Sequence, residues 1–266
     1  MSLIQIIVLA VVQGLTEFLP ISSSGHLVLV PGLLNWSDQG LEFDVAVHFG
    51  SLLAVVVYFR NDIGGLLKGA MEILQGRTDT LRTKMVFVLA IGTVPAAIAG
   101  LTLAGWIEEN LRSPAVVAAT LAGYGILLGI ADIVGRKQRV ITDVGLKEGL
   151  VIGIAQALSL VPGTSRSGIT ITAGLLLGFR RQDAARFSFL LAVPVILLAA
   201  MYEFATLIMS NAPVAWGELT LAALISAVVA YLSIEFFMRF VNAIGLVPFA
   251  IYRVILAAVI CYVLVL

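Results

Sequence analysis

The chain has 266 residues, of which 60% are hydrophobic and 12% charged, and its 16 basic and 16 acidic side chains cancel. With a mean hydropathy of +1.07 it is far more apolar than a soluble domain, where about a quarter of residues are charged. Composition predicts a polytopic membrane protein, and the zero net charge leaves no basic face for nucleic acid.

A span needs roughly 20 apolar residues, and the first apolar stretch, Leu3 to Leu33, is long enough in total. It is interrupted by Pro20-Ile21-Ser22-Ser23-Ser24-Gly25-His26. Each half is too short to cross, so the stretch predicts a re-entrant helical hairpin, its broken backbone facing protein or a wet cavity. The N-terminus carries no basic n-region and no small-residue cleavage site, so no removable signal peptide is expected. Spans are then expected at Leu41 to Phe59, Met85 to Trp106 and Ala115 to Val134. A second broken stretch, Gly149 to Phe179, is cut by Pro162-Gly163-Thr164-Ser165-Arg166-Ser167-Gly168 and predicts a second hairpin. Three further spans follow at Phe187 to Met209, Trp216 to Met238 and Ala243 to Leu266. Cys261, the single cysteine, lies in the last run and is read as packing. Trp36, Trp106 and Trp216 mark membrane interfaces, and Glu203, Glu235 and Arg239 read as anchors near the borders.

Lys and Arg in short loops set the orientation. Arg60, Lys68, Arg77, Arg82 and Lys84 mark one cytoplasmic connection, and Arg136, Lys137, Arg139 and Lys147 another. Arg180, Arg181, Arg186 and Arg239 are also inside, whereas Ile107 to Pro114 and Ser210 to Ala215 are poor in basic residues and read as outer loops. Both termini are then outside, the first hairpin enters from the outer face and the second from the cytoplasmic face. The fold class is an all-α inverted repeat of one integral membrane domain, each half a re-entrant hairpin plus three transmembrane helices, with halves of approximately 1–140 and 141–266. Gln13 to Gly25 aligns with Gln156 to Gly168, as a duplication would leave it. Broken helices in inverted repeats typically meet near the midplane, so the two loops are expected to face each other.

Two helix N-termini converging there form an anion site. Ser22, Ser23, Ser24, Gly25, Thr164, Ser165, Ser167 and Gly168 are its candidate phosphate-binding residues. Arg166 adds a planar cation suited to phosphate oxygens, and at membrane depth it demands a partner, Glu17 or a ligand. Gln13 lies one turn before Glu17 on the same face. With Ser23 and His26, Glu17 completes an acid, a base and a nucleophile within one loop, the ingredients of phosphoryl transfer. Asp44 and His48 occupy successive turns of one face, a pattern that suits packing or capping as well as a role in the cavity. No GxxxxGK[ST] loop is present, which argues against nucleotide hydrolysis.

The runs QGLTEFLPISSSGH and PGTSRSG, with their spacing, resemble the undecaprenyl-diphosphate phosphatase family of the bacitracin-resistance type. The match falls on Gln13, Glu17, Pro20, Ser22, Ser23, Gly25 and His26, and on Pro162, Gly163, Ser165, Arg166, Ser167 and Gly168. The resemblance implies removal of the terminal phosphate of undecaprenyl diphosphate at the outer face of the bacterial inner membrane, recycling the lipid carrier of cell-wall synthesis. It implies a divalent cation, magnesium or calcium, with Glu17 and Gln13 as metal ligands. Ser23 or His26 would be the nucleophile, Arg166 would stabilise the transferred phosphoryl group, and Glu17 would hold the metal or tune the histidine. Gln13 departs from the second glutamate many relatives carry, and an amide binds a cation more weakly than a carboxylate. The partners are then the polyprenyl diphosphate lipid and the membrane, with a homodimer left open. The rival function is an inverted-repeat transporter or flippase for a polyprenyl phosphate or another anion. A second class of lipid phosphatase shares SGH and SR elements but needs a second histidine with an aspartate four residues on; His48 is followed at that distance by Leu52.

Overall fold

A computed structural model of the chain describes residues 1–210 and 215–265, and among these the architecture is all-α. Helix α1 (Leu3–Thr16) and α2 (Ser23–Leu34) are the halves of the first broken stretch, and α7 (Leu146–Ala157) and α8 (Arg166–Leu176) those of the second. Long apolar helices are α3 (Leu41–Tyr58), α5 (Leu81–Asn110), α6 (Pro114–Val134), α9 (Arg181–Ser210), α10 (Trp216–Ile244) and α11 (Val247–Leu264). Five of these pass as spans on length and hydropathy alone, and α3 makes a sixth with the helix that follows it. The apolar side chains they turn outward, such as Leu101, Ile133 and Tyr262, form a surface that water would not tolerate over such an extent. This is a multi-pass membrane protein.

Three boundaries differ from the sequence reading. The connection between Arg60 and Lys84 contains a helix, α4 (Arg60–Leu74), turned by 85° from α3. Its glycines, Gly64, Gly65 and Gly69, lower its helix propensity and masked it. Helix α10 runs on through Arg239 to Ile244 and stops at Gly245, whose φ of 75° only glycine adopts readily. The last helix therefore starts at Val247 with Pro248 in its first turn, and Ala243 belongs to α10. The expected outer loop at 210–215 falls mostly on residues 211–214, outside the described residues, as do Leu266 and the side chains of Glu108 and Glu203. Trp106 and Trp216 are exposed, while Trp36 packs against the cluster of Ile6, Leu27 and Phe43.

Helices in lipid gain little from burying apolar surface against one another, so close backbone approach and small residues carry the packing. Helix α1 lies on α10 with Gly14 facing the Ser226 carbonyl, where a Cβ would come within 2.7 Å. Helix α7 lies on α5 with Gly153 pressed to the backbone of Gly92. Helices α3 and α10 meet at Gly50 and Ala223, and α6 and α11 at Gly125 and Gly129. Hydroxyls bond across these crossings: Ser226 Oγ to Val47 O at 2.7 Å and Ser233 Oγ to Leu15 O at 3.0 Å.

One polar knot ties three helices. Asp132, 1% exposed near the end of α6, accepts from Arg181 Nε at 2.5 Å and Nη2 at 3.0 Å, and from the Leu246 N–H at 2.9 Å. Lys137 adds a fourth contact at 3.4 Å. Removing the carboxylate strands Arg181 and a buried N–H together. Asp132→Ala is therefore expected to lower stability by about 3 kcal/mol, read as an earlier unfolding transition of the purified protein in detergent.

Candidate active site

Helix α1 ends at Thr16, and Pro20 prevents its continuation. Ser22 then adopts φ 73° and ψ 98° and caps α2, its Oγ accepting from the Gly25 N–H at 3.4 Å. The second loop repeats this construction: Ser165, at φ 68° and ψ 111°, caps α8 and accepts from the Gly168 N–H at 3.1 Å. Positive φ is strained for a serine, and its occurrence at both matched positions requires that the surroundings hold it. Each cap serine also pairs with the serine two residues on, Ser22 with Ser24 at 3.1 Å and Ser165 with Ser167 at 3.3 Å.

The loops are clasped to each other. The Gly163 N–H donates to Ser24 Oγ at 3.2 Å, and Ser167 Oγ donates to the Leu19 carbonyl at 3.1 Å. Thr120 on α6 anchors the second loop by donating to the Pro162 carbonyl at 2.6 Å. The two helix N-termini are thus fixed beside one another, as expected for the two matched loops.

Glu17 is the hub. Its Oε1 accepts from Arg166 Nη2 at 3.1 Å, and its Oε2 accepts from Ser23 Oγ at 2.9 Å and from Gln13 Nε2 at 2.9 Å. His48 Nε2 stands 3.7 Å from the same Oε2, so α3 contributes to the site from its inner face. Glu17 is only 8% exposed, so its charge is held within the protein rather than at the surface. Arg166 is held on its other side by the Ser188 carbonyl at 3.3 Å, and its guanidinium lies 5.5 Å above the Phe18 ring centre. Below it Phe18, Phe189, Phe59 and Phe237 stack edge to face or tilted at 5.2–6.2 Å and close the floor.

His26 points elsewhere. Its Nδ1 donates to the Ser22 carbonyl at 2.7 Å, which leaves Nε2 as the acceptor of the Tyr252 hydroxyl at 2.7 Å. The two rings lie parallel, with centres 5.7 Å apart. The carboxylate, not the imidazole, is therefore the group bonded to Ser23.

Other candidates serve the loops themselves. The N–H groups of Gly25 and Gly168 are taken up by the caps, and Thr164 is fully buried with its hydroxyl unpartnered. Two site residues escaped the sequence reading, Tyr252 and Arg253, both on α11. The available signal was an arginine in the middle of an apolar run, which the membrane tolerates only for a reason.

Among the described residues no cluster of three His, Cys, Asp or Glu side chains is arranged to hold a metal. Gln13 Oε1, however, is a buried acceptor without a donor, beside the Glu17 carboxylate. One carboxylate and one amide oxygen are too few to cage an ion. They fit an ion that brings the rest of its shell as phosphate oxygens and water, the usual habit of magnesium.

A family model described as Bacitracin resistance protein BacA matches residues 6–259. An undecaprenyl-diphosphatase of Hahella chejuensis is 51% identical over 260 residues, covering 97% of each chain. Undecaprenyl-diphosphatase 2 of Stutzerimonas stutzeri is 50% identical over 262 residues, again covering 97% of both, and the undecaprenyl-diphosphatase of Teredinibacter turnerae is 50% identical over 256.

The clasp has a measurable signature. Ser24→Ala should destabilise the protein by about 1–3 kcal/mol, because it orphans the buried Gly163 N–H, and Ser167→Ala by about 0.5–1.5 kcal/mol, because the Leu19 carbonyl keeps the Ile21 N–H as a donor. The double variant should lose clearly less than the sum of the two in detergent unfolding, since one break already releases the other contact. Strict additivity would show that the contacts act separately.

Proposed function

The chain belongs to the bacitracin resistance protein BacA family, and we propose that its paired loops hydrolyse undecaprenyl diphosphate to the monophosphate and phosphate, with Ser23 as the nucleophile and Glu17 as its base. The observation that carries this assignment is the 2.9 Å hydrogen bond from Ser23 Oγ to Glu17 Oε2. A carboxylate touching a serine at a helix N-terminus is a nucleophile with its base already in contact.

Ser23 Oγ attacks the terminal phosphorus and gives its proton to Glu17. The bridging P–O bond breaks, and undecaprenyl phosphate leaves with the bridging oxygen. Arg166, which shares Glu17 before substrate arrives, turns its charge to the phosphoryl oxygens as the carboxylate becomes neutral, so its stabilisation grows as the reaction proceeds. The N-terminal turns of α2 and α8 add their dipoles. Water then attacks the phosphoserine, its oxygen and both its protons going to the phosphate as the Ser23 Oγ–P bond breaks, while His26 Nε2 stays engaged with the Tyr252 hydroxyl. Ser23 recovers its proton from Glu17 and phosphate departs.

A divalent cation, Mg2+ or Ca2+, would be held by Glu17 and the free Gln13 Oε1 together with the diphosphate. When bound it would neutralise charge on the phosphate oxygens. Gln13 otherwise fixes Glu17 through its amide N–H.

The basic connections around Arg77 and Arg139 support a cytoplasmic location for those loops in a bacterial inner membrane, with the site opening outward and both termini outside. The inverted-repeat division at about residue 140 draws support from the matched caps at Ser22 and Ser165 and from the parallel pairings of α1 on α10 and α7 on α5. A transporter built on this plan needs anion ligands but no serine activated by a carboxylate, and the Ser23–Glu17 contact favours hydrolysis.

Phosphate release from undecaprenyl diphosphate in detergent tests the assignment. Glu17→Gln should lower kcat by roughly 10²–10⁴-fold and Arg166→Ala by roughly 10²–10³-fold, with chelator reducing wild-type turnover. Wild-type rates in either variant would remove that residue from the chemistry.

A further inference from the structure

Arg253 is 0% exposed, in the middle of α11, and among the described residues it has no acidic partner. Its bonds all go to carbonyls: Nε to Leu121 O at 3.3 Å, and Nη2 to Gly163 O at 3.1 Å and Thr164 O at 2.7 Å. The remaining nitrogen, Nη1, has no partner, and neither does the Thr164 hydroxyl.

The surroundings are shaped to admit this side chain. A Cβ at Gly168 would lie 2.5 Å from Nη1, and one at Gly125 would lie 2.9 Å from the Arg253 Cβ. Gly168 is the third residue of α8, so Nη1 is directed at the first turn of that helix. Electrostatically this is the wrong place for a lone cation, because a helix N-terminus already carries partial positive charge. A guanidinium without a counter-charge at membrane depth is itself unfavourable. Arg166 and Glu17 neutralise each other nearby, whereas Arg253 leaves the pair of loops with unbalanced positive charge. Both unfavourable terms reverse once a phosphate occupies the loops.

We propose that Arg253 is a positioning residue for the substrate's terminal phosphate: its fork holds the Gly163 and Thr164 carbonyls so that the first turn of α8 stays aimed at the phosphate, while its unpaired charge adds to the attraction of the anion. This rests on the phosphatase assignment above, but its binding component can be read without turnover. The two contributions separate by substitution, since lysine keeps the charge and loses the planar fork, whereas methionine loses both.

The experiment uses the purified full chain in detergent, with kcat and KM for undecaprenyl diphosphate and the thermal shift produced by inorganic pyrophosphate. Arg253→Lys is expected to keep KM and the pyrophosphate shift within about threefold while kcat falls at least about tenfold. Arg253→Met is expected to lose kcat similarly, to raise KM by at least about tenfold and to show no pyrophosphate stabilisation, while still unfolding cooperatively. A lysine variant with wild-type kcat would overturn the role of the fork. A methionine variant stabilised by pyrophosphate as well as wild type would overturn the role of the charge. Should the methionine variant not fold, a lysine variant whose pyrophosphate shift is lost would contradict the charge assignment by itself.

Discussion

The structure depends on one buried ion pair, Glu17 with Arg166, made between residues 149 apart in sequence. Neither group is tolerable alone at membrane depth, so the end of α1 and the start of α8 must meet for either to be satisfied. Meeting brings the Ser22 and Ser165 caps side by side and lets the serine clasps close. It also lays Arg166 on Phe18, the top of the aromatic stack that runs down to Phe59 and Phe237. In the proposed mechanism the same ion pair is a resting lock on the chemistry. Glu17 cannot accept the serine's proton without loosening its hold on Arg166, and that release frees the guanidinium when phosphoryl charge needs it. Coupling of this kind makes stability and catalysis draw on the same contacts.

The two loops share a backbone and differ in their side chains. Both place a serine at positive φ, both cap with it, and both follow it two residues later with a second serine that reaches across to the other loop. What one loop lacks the other supplies. The position occupied by Ser23 in the first loop is Arg166 in the second, and the place of Glu17 is taken by Leu160. In the proposed mechanism, nucleophile and base therefore come from one side, and charge stabilisation from the other. Helix α11 joins them from behind, with Tyr252 on the imidazole of the first loop and Arg253 on the carbonyls of the second.

Much of this was legible in the sequence because it follows local rules. Proline followed by serine and glycine inside an apolar run marks a broken helix, and the i, i+4 spacing of Gln13 and Glu17 places them on one face, where the amide does bond the carboxylate. An arginine between lipid-facing runs calls for a carboxylate, and Glu17 was a candidate. Less legible was the partner of Ser23. The sequence placed Glu17, Ser23 and His26 in one loop without saying which of them pair; the first turn of α2 directs the imidazole back onto the Ser22 carbonyl and leaves the serine to the carboxylate at the end of α1. Helix α4 was hidden by its glycines and basic residues, which read as a cytoplasmic loop. The contacts of Arg253 are set by the packing of α11 on α6, and no periodicity in the chain encodes the carbonyls it finds.

The central claim is that Ser23, not His26, takes the phosphoryl group. Rapid quench of the enzyme with undecaprenyl diphosphate labelled in its terminal phosphate, in acid and in a parallel sample in base, followed by mapping of the labelled peptide, tests it most directly. The account predicts an acid-stable phosphoserine at Ser23 that is absent from Ser23→Ala. An acid-labile label that survives in base and maps to His26 would contradict it.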